Sequence, residues 1–253
     1  KIGLNATFIN ASPNGININA GCGSTHMEAL SAAFHKGHYD LAFAFDGDSD
    51  RFMALAPDGR LIDGDAMIYL NALSLKKAGK LHSNTVVITV MSNFGLRKVL
   101  EDKGIGYDTV AVGDKNVQAR LKEKDLSIGG EQSGHVIFLE DLNTGDGLLS
   151  SIKLLNLFVK EKAIFKELGD FVVYPQVLKN VNFASRDILE KTASSASLKA
   201  EIASEEKALG NHGRILVRPS GTEPLLRVMA EADTQKRCQD IVDHLVHFIE
   251  EGQ

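Results

Sequence analysis

Short apolar runs rich in β-branched and aromatic residues alternate along this chain with segments of helical periodicity. Such alternation is typical of α/β folds built on mixed or parallel sheets. The pattern predicts strands at residues 5–9, 41–45, 85–90, 214–217 and 225–230. It predicts helices from a capping box at 25–28 to Gly37, and at 65–78, 93–103, 147–162, 198–209 and 234–250.

The periodicity weakens between residues 170 and 183, where Pro175 interrupts what would otherwise be a strand. We therefore expect a domain boundary there. No repeat of solenoid type or low-complexity tract is visible elsewhere in the chain.

Composition narrows the class of protein. The 253 residues are 43% hydrophobic and carry a formal net charge of −5, which is ordinary for a globular protein and argues against nucleic-acid binding. No apolar run approaches the roughly 20 residues that span a bilayer, so we expect no membrane partner. Cys22 and Cys238 lie far apart, as expected for reduced thiols in the cytoplasm. The first residue is not Met, which is weak support for a start within a longer protein.

The first loop that carries chemistry is Asp-Gly-Asp-Ser-Asp-Arg, residues 46–51, directly after a predicted buried strand. In an extended loop its three alternating carboxylates would point to one side. Their repulsion would be relieved by a hard cation, and oxygen ligands suit Mg²⁺. A solvated acidic turn and an aspartate-dependent phosphatase remain alternatives, whereas a calcium EF-hand fits badly because its sixth position is Arg51.

The second loop is Gly-Gly-Glu-Gln-Ser-Gly-His, residues 129–135. Glu131 and Ser133 are two residues apart and could bind neighbouring sugar hydroxyls, with His135 as a proton acceptor or donor. A glycine-rich hairpin with a surface glutamate is an equal alternative at this point. The spacing is not that of a dinucleotide-binding fingerprint.

The third loop is Arg-Pro-Ser-Gly-Thr-Glu-Pro, residues 218–224. A guanidinium, two hydroxyls and backbone amides together suit an oxyanion such as phosphate. The alternative is a turn with a surface ion pair. Arg227 is interpreted as a strand-end salt bridge, Asp114 as the N-cap of a following helix, and Lys115 as a lysine that could reach a phosphate or hydroxyl.

Taken together, the three loops resemble the α-D-phosphohexomutase family: its Mg²⁺ loop, its sugar-recognition loop and its phosphate-binding loop, in family order. The segment Pro13-Asn14-Gly15 resembles a stretch upstream of the metal loop. The sugar loop favours the glucosamine branch. One departure is Ser49, where the family more often has glycine.

The resemblance implies a fold of mixed-sheet α/β domains followed by a C-terminal α+β (TBP-like) phosphate-binding domain. Residues 1–60 would be the later part of a second domain with the metal loop, 61–170 a third domain with the sugar loop, and 171–253 a fourth with the phosphate loop. The implied reaction interconverts glucosamine 6-phosphate and glucosamine 1-phosphate through a phosphoserine and a bisphosphate. The implied pathway is the synthesis of amino-sugar nucleotides and cell-wall precursors.

The roles implied for individual residues are these: Mg²⁺ ligands Asp46, Asp48 and Asp50; catalytic residues His135, Arg51 and Lys115; substrate-binding residues Glu131, Ser133, Arg218, Ser220, Gly221 and Thr222. The family's catalytic serine lies in a Ser-His-Asn-Pro loop of a first domain, and this sequence contains no such loop. Ser12 lies in a similar stretch but belongs to the upstream segment. We therefore expect the partners to be a phosphosugar and a missing N-terminal domain, with a homodimer also possible. Phosphomannomutase or phosphoglucomutase specificity and a non-catalytic phosphosugar-binding fragment are the alternatives.

Overall fold

The computed structural model describes residues 3–252, which fall into two compact units. One unit is made of the residues up to Ser92 and of Leu96–Val172, and the other of Asn93–Gly95 and the residues from Val173 onward. The helices are α1 Glu28–Lys36, α2 Gly64–Lys77, α3 Phe94–Asp102, α4 Asp114–Glu123, α5 Gly147–Glu161, α6 Arg186–Ser194, α7 Ala196–Leu209 and α8 Gln235–Glu251. The strands are β1 Ala42–Phe45, β2 Phe52–Leu55, β3 Leu61–Ile62, β4 Thr85–Thr89, β5 Gly106–Val110, β6 Ile128–Gly130, β7 Val136–Phe138, β8 Gln176–Asn182, β9 Gly213–Pro219 and β10 Leu225–Ala232.

The first unit contains two sheets. β1, β2 and β3 form an antiparallel sheet, and a mixed sheet has the order β5-β4-β6-β7, in which β4 is parallel to β5 and β6. Alternate residues of β4 enter different apolar clusters: Val86 and Ile88 join the main core, while Val87 packs with Val117 and Leu121 of α4. Both faces of the mixed sheet are therefore covered, which confirms the α/β prediction for this unit.

The loops of interest lie at strand connections of this unit. Residues 46–51 join β1 to β2, and residues 131–135 join β6 to β7. The two connections touch, because the amide of Phe52 donates to the carbonyl of Gly134 at 3.1 Å. A side chain on Gly134 would collide with the Phe52 carbonyl, so only glycine allows this approach.

The second unit is a three-stranded antiparallel sheet of order β8-β10-β9 with α6, α7 and α8. Leu226, Val228 and Ala230 of β10 alternate into a core that includes Val242 and Leu245 of α8. The intervening residues of β10 occupy the opposite face. This arrangement confirms the predicted α+β character of the C-terminal part.

Some predicted elements are absent or begin elsewhere. The strand predicted at 5–9 is wrong: these residues are exposed, and no strand pairs with them in the described part of the chain. The capping box is also wrong, since α1 begins at Glu28 behind Met27, which makes no side-chain cap.

Pro175 does not interrupt a strand but precedes one, since β8 begins at the next residue. Proline is tolerated at a strand's entrance because no ladder hydrogen bond is needed from its nitrogen. β8 lies inside the stretch whose periodicity weakens, and the carbonyl of Pro175 accepts from Ala232 at 3.3 Å. Among residues 3–252, no helix has the length and apolar character needed to cross a membrane.

Candidate active site

The acidic loop brings its three carboxylates together as predicted. Oxygen atoms of Asp46, Asp48 and Asp50 all lie within 4.8 Å of one another. The amide of Arg51 donates to Oδ1 of Asp46 at 3.1 Å, and the guanidinium Nε lies 3.8 Å from Oδ2 of the same residue. Arg51 therefore pairs with Asp46 and does not neutralise the carboxylates of Asp48 and Asp50.

The electrostatics of this loop favour a cation. Burial raises the pKa of Asp46, and the neighbouring charges of Asp50 and Asp48 raise it further, while the Arg51 amide acts in the opposite direction. A divalent cation would relieve this repulsion, and a donor set made only of carboxylate oxygens suits a hard ion such as Mg²⁺. The three aspartates thus fit the predicted metal.

Ser49 lies between the second and third aspartates with a φ of 61°. This is the left-handed region, which glycine adopts freely and most other residues rarely do. The glycine found more often at this position in the resembling family therefore has a conformational reason. Serine is accommodated here at some conformational cost.

Glu131, in the hairpin loop between β6 and β7, contacts both the start of α4 and a residue of its own loop. Its Oε1 accepts from the amide of Gly113 at 2.7 Å, and its Oε2 lies 3.4 Å from the hydroxyl of Ser133. Glu131 and Ser133 line a cleft of about 390 Å³ whose walls also include Met91 and Val112. The two predicted sugar-binding residues therefore open onto one space.

Two further predicted residues, Asp114 and Lys115, lie at the start of α4. Gly113, not Asp114, is the N-cap of α4, so the predicted capping role of Asp114 is wrong. Lys115 is exposed in the first turn of α4, with no ion-pair partner in the described part of the chain. Because Glu131 holds Gly113, the start of α4 lies beside the hairpin.

His135 is buried and has protein partners at both ring nitrogens. Nδ1 lies 3.0 Å from Oδ2 of Asp50, and Nε2 accepts from the amide of Gly145 at 3.2 Å. A general base needs a nitrogen that can reach a substrate proton. Both ring nitrogens of His135 have protein partners in this arrangement, and its role as a general base stays a prediction.

Residues 144–147, Thr-Gly-Asp-Gly, contact the acidic loop and His135, although the sequence predicted only a helix that starts at residue 147. Asp146 caps α5 by accepting from Leu149 at 2.7 Å. The amide of Gly147 donates to the carbonyl of Ser49 at 2.9 Å, and a Cβ on Gly147 would lie 2.8 Å from that oxygen. In the sequence, an Asp-Gly pair before an apolar run indicates the start of a helix. It does not indicate that this helix start contacts the acidic loop.

The third loop lies in the second unit, between β9 and β10. Arg218 is half-buried, and burial, followed by the nearby charge of Arg227, lowers its pKa. Gly221 and Thr222 are exposed, and no described residue accepts from the Gly221 amide. Binding of an anion by these groups stays a prediction.

Ser220 differs from its neighbours in this loop. It is 1% exposed, and the amides of Thr222 and Glu223 each lie 3.4 Å from its hydroxyl oxygen. Its hydroxyl therefore shapes the loop, and the geometry gives less support to the predicted direct contact with substrate.

The position of Arg227 beside Arg218 is a feature that the sequence interpretation missed. Arg227 lies directly opposite Arg218 in the β9–β10 register, and its buried Nε has no hydrogen-bond partner. Within residues 3–252, no carboxylate lies in ion-pair range of either guanidinium. The predicted strand-end salt bridge of Arg227 is therefore wrong, and two unneutralised guanidinium groups share one face. Predicting this pair from the sequence would have required the register of β9 and β10, in which residue 218 lies opposite residue 227.

Comparison with known proteins agrees with this geometry. Residues 63–174 match the model of the phosphoglucomutase/phosphomannomutase α/β/α domain III, and residues 178–247 match that of the C-terminal domain of the same family. The chain belongs to this phosphohexomutase family. Its predicted membership is confirmed, and the family's domain III and C-terminal domain match the α/β and α+β parts described above.

The curated relatives of this phosphohexomutase chain extend the match to the acidic loop. The chain is 47% identical to phosphoglucosamine mutase from Bacillus subtilis over 94% of its residues and 53% of that protein. It is 45% identical to phosphoglucosamine mutase from Oceanobacillus iheyensis, over 96% of the chain and 54% of that protein. The chain therefore spans about half the length of the curated relatives it matches.

Solved structures show the same phosphohexomutase fold. An N-acetylphosphoglucosamine mutase from Aspergillus fumigatus, in complex with GlcNAc-6P and magnesium, superposes with a TM-score of 0.72 at 21% identity. The superposition covers 92% of this chain and 53% of the fungal one.

Proposed function

We propose that the protein containing this chain interconverts glucosamine 6-phosphate and glucosamine 1-phosphate through a phosphoserine and a bisphosphate intermediate. Support comes from bacterial relatives at 45–47% identity, which are named phosphoglucosamine mutase. The observation that carries the proposal is the contact between two loops of the first unit, the acidic loop at residues 46–51 and the hairpin loop at residues 131–135. The carboxylates of residues 46–50 and the cleft at Glu131 and Ser133 are connected through Phe52–Gly134 and Asp50–His135 contacts.

In this proposal each loop has a separate task. Asp46, Asp48 and Asp50 hold Mg²⁺, which neutralises charge on the transferring phosphoryl group when it is bound. Arg51 limits the negative charge of the acidic loop through Asp46, and the exposed Lys115 is available to a phosphate or hydroxyl. Glu131 and Ser133 bind sugar hydroxyls.

Arg218, with Arg227 opposite, holds the phosphate that does not react, together with Gly221 and Thr222. This role follows from two guanidinium groups without carboxylate partners. Ser220 supports the loop from within.

The phosphoryl donor is proposed to lie outside these 253 residues. The sequence contains no Ser-His-Asn-Pro loop, and the chain matches about half of its relatives' length. The division at residues 1–60, 61–170 and 171–253 belongs to this proposal, as do a cytoplasmic location and a homodimer. The chain alone is expected to bind phosphosugar without isomerising it.

An assay by ³¹P NMR tests the function. The whole protein, with Mg²⁺ and a bisphosphate activator, is expected to convert glucosamine 6-phosphate to the 1-phosphate, and removal of the metal with EDTA is expected to stop conversion. This chain alone, under the same conditions, is expected to give none. Release of inorganic phosphate instead would indicate a phosphatase, and conversion by the chain alone would refute the proposed division of labour.

A different hexose specificity is the second candidate, because the matched family model covers phosphoglucomutases and phosphomannomutases. The same assay with glucose 6-phosphate and mannose 6-phosphate separates the two. Conversion of either sugar at a higher kcat/KM than glucosamine 6-phosphate would favour the second candidate.

A further inference from the structure

The ring of His135 connects the acidic loop to the loop before α5. Its side chain is only 7% exposed, whereas that of Asp50 is 36% exposed. One ring nitrogen faces the Asp50 carboxylate at 3.0 Å, and the other faces the Gly145 amide at 3.2 Å. The imidazole therefore bridges an element of the acidic loop and a backbone group of a separate loop.

The two contacts assign the position of the ring proton. The Gly145 amide can only donate, so Nε2 must offer its lone pair to it. The proton of the neutral ring then lies on Nδ1 and is donated to Oδ2 of Asp50. Only Oδ2 contacts the ring, which leaves the second oxygen of Asp50 for a cation.

The backbone around this bridge is held by further contacts. Phe52, two residues after Asp50, donates to Gly134, the residue before His135. Ser49, the residue before Asp50, accepts from Gly147, two residues after Gly145. Both loops that bind the ring are thus fixed by their main chains, so the Nδ1 proton has a defined direction toward Asp50.

We propose that His135 is a positioning residue, which orients the carboxylate of Asp50 for the metal. Carboxylates that bind metals are commonly held by hydrogen bonds from a second layer of residues, and loss of such a partner typically weakens metal binding about 10–100-fold. The inference rests on the metal site of the proposed function but not on the mutase reaction.

Substitutions of His135 can separate its two contacts. The amide nitrogen of asparagine lies near the position of Nδ1, so His135→Asn keeps a donor toward Asp50 and loses the acceptor for Gly145. In His135→Gln the amide lies near the position of Nε2, so it keeps the acceptor and loses the donor. His135→Ala loses both.

The test is Mn²⁺ binding to this chain, measured by electron paramagnetic resonance of the free ion, with circular dichroism to verify folding. His135→Gln and His135→Ala are expected to bind Mn²⁺ about 10–100-fold more weakly than the unsubstituted chain. His135→Asn is expected to bind within about threefold of it. A purely structural role would not separate the asparagine from the glutamine variant.

Three results would overturn the proposal: equal Mn²⁺ affinity in all three variants, an equal loss in Asn and Gln variants, or no Mn²⁺ binding by the unsubstituted chain. His82→Asn is the matched control, because this histidine also contacts carboxylates, those of Asp125 and Glu140, outside the acidic loop. It is expected to leave Mn²⁺ affinity unchanged. Failure of the mutase assay with retained Mn²⁺ binding would reject the reaction and leave the role of His135 standing.

Discussion

Two arginine pairs on the same two strands, β9 and β10, have opposite character. Arg214 lies opposite Glu231, and its Nε donates to Oε2 at 2.6 Å with the carboxylate fully buried. Four residues further along β9, Arg218 lies opposite Arg227. One pair is neutralised inside the protein, and the other places like charges together.

The difference separates charges that hold the fold from charges that the proposed function assigns to a ligand. Like charges directly opposite each other in a sheet are destabilising. The Arg218–Arg227 pair is therefore not expected to stabilise the fold. The first unit repeats the contrast. Asp108 lies 2.6 Å from both Arg120 and Lys124, whereas in the described structure the three carboxylates of residues 46–50 share one guanidinium, that of Arg51, and the imidazole of His135.

The largest expected effect is on the neutralised pair. Besides Arg214, Glu231 accepts from the Phe94 amide at 2.9 Å and from the Asn93 side chain at 3.3 Å. Glu231→Ala removes a buried carboxylate oxygen that lies 2.6 Å from Nε of Arg214, whose side chain is only 14% exposed. We expect the free energy of unfolding, measured with urea, to fall by about 3–5 kcal/mol.

The control for this prediction is Asp240→Ala, which removes the exposed Lys236–Asp240 pair of α8. Exposed pairs contribute little, so a change within about 0.5 kcal/mol is expected. A loss below about 1 kcal/mol in Glu231→Ala would show that the buried pair does not stabilise the unit as described.

A smaller effect is expected at Asp108. Burial raises the pKa of this carboxyl, but the contacts with Lys124 and Arg120 outweigh it and the pKa is lowered overall. A lowered carboxyl pKa stabilises the folded state above the ordinary value of about 4, and the contribution is lost as the pH falls through the folded-state pKa. Asp108→Asn is therefore expected to cost about 1 kcal/mol at pH 7 and to match the parent chain at strongly acidic pH.

Asp48→Asn provides the contrasting variant in the same unit. It removes one of three repelling charges, so in the absence of divalent metal we expect no loss of stability at pH 7. Equal destabilisation by both substitutions, in urea unfolding with EDTA present, would contradict the distinction between paired and unpaired carboxylates.

The smallest expected effect is a gain in stability. Arg227→Met removes one of the two opposed guanidinium groups while preserving the length of the side chain. Cross-strand pairs change stability by about 0.2–1 kcal/mol, and a gain in that range is expected in phosphate-free buffer. A loss above 1 kcal/mol would mean that Arg227 has a structural partner within the protein.

The acidic loop and the main strands could be predicted from the sequence because their signals are local. Asp46, Asp48 and Asp50 alternate within five residues, directly after a strand that the apolar run marks. The three-loop order was sufficient to indicate the family. Helix bounds were correct to within two residues for α2 and α5, since Asp63 and Asp146 cap them.

Other features depend on contacts between distant residues, which periodicity does not reveal. The partner of His135 at Gly145 and the opposition of Arg227 to Arg218 follow from loop packing and strand register. The strand predicted at 5–9 failed for a related reason: β-propensity needs a neighbouring strand, and none lies beside these residues in the described structure.

We propose that unneutralised charge in this protein marks its phosphosugar site. Isothermal titration of this chain with glucosamine 6-phosphate tests it most directly, using Arg218→Ala and, as control, the exposed Lys236→Ala. Hydrogen bonds to charged groups contribute about 1.5–3 kcal/mol, so Arg218→Ala is expected to weaken binding about 10–100-fold while Lys236→Ala leaves it unchanged. Equal affinity of the parent chain and Arg218→Ala, or no binding by the parent chain, would contradict the claim.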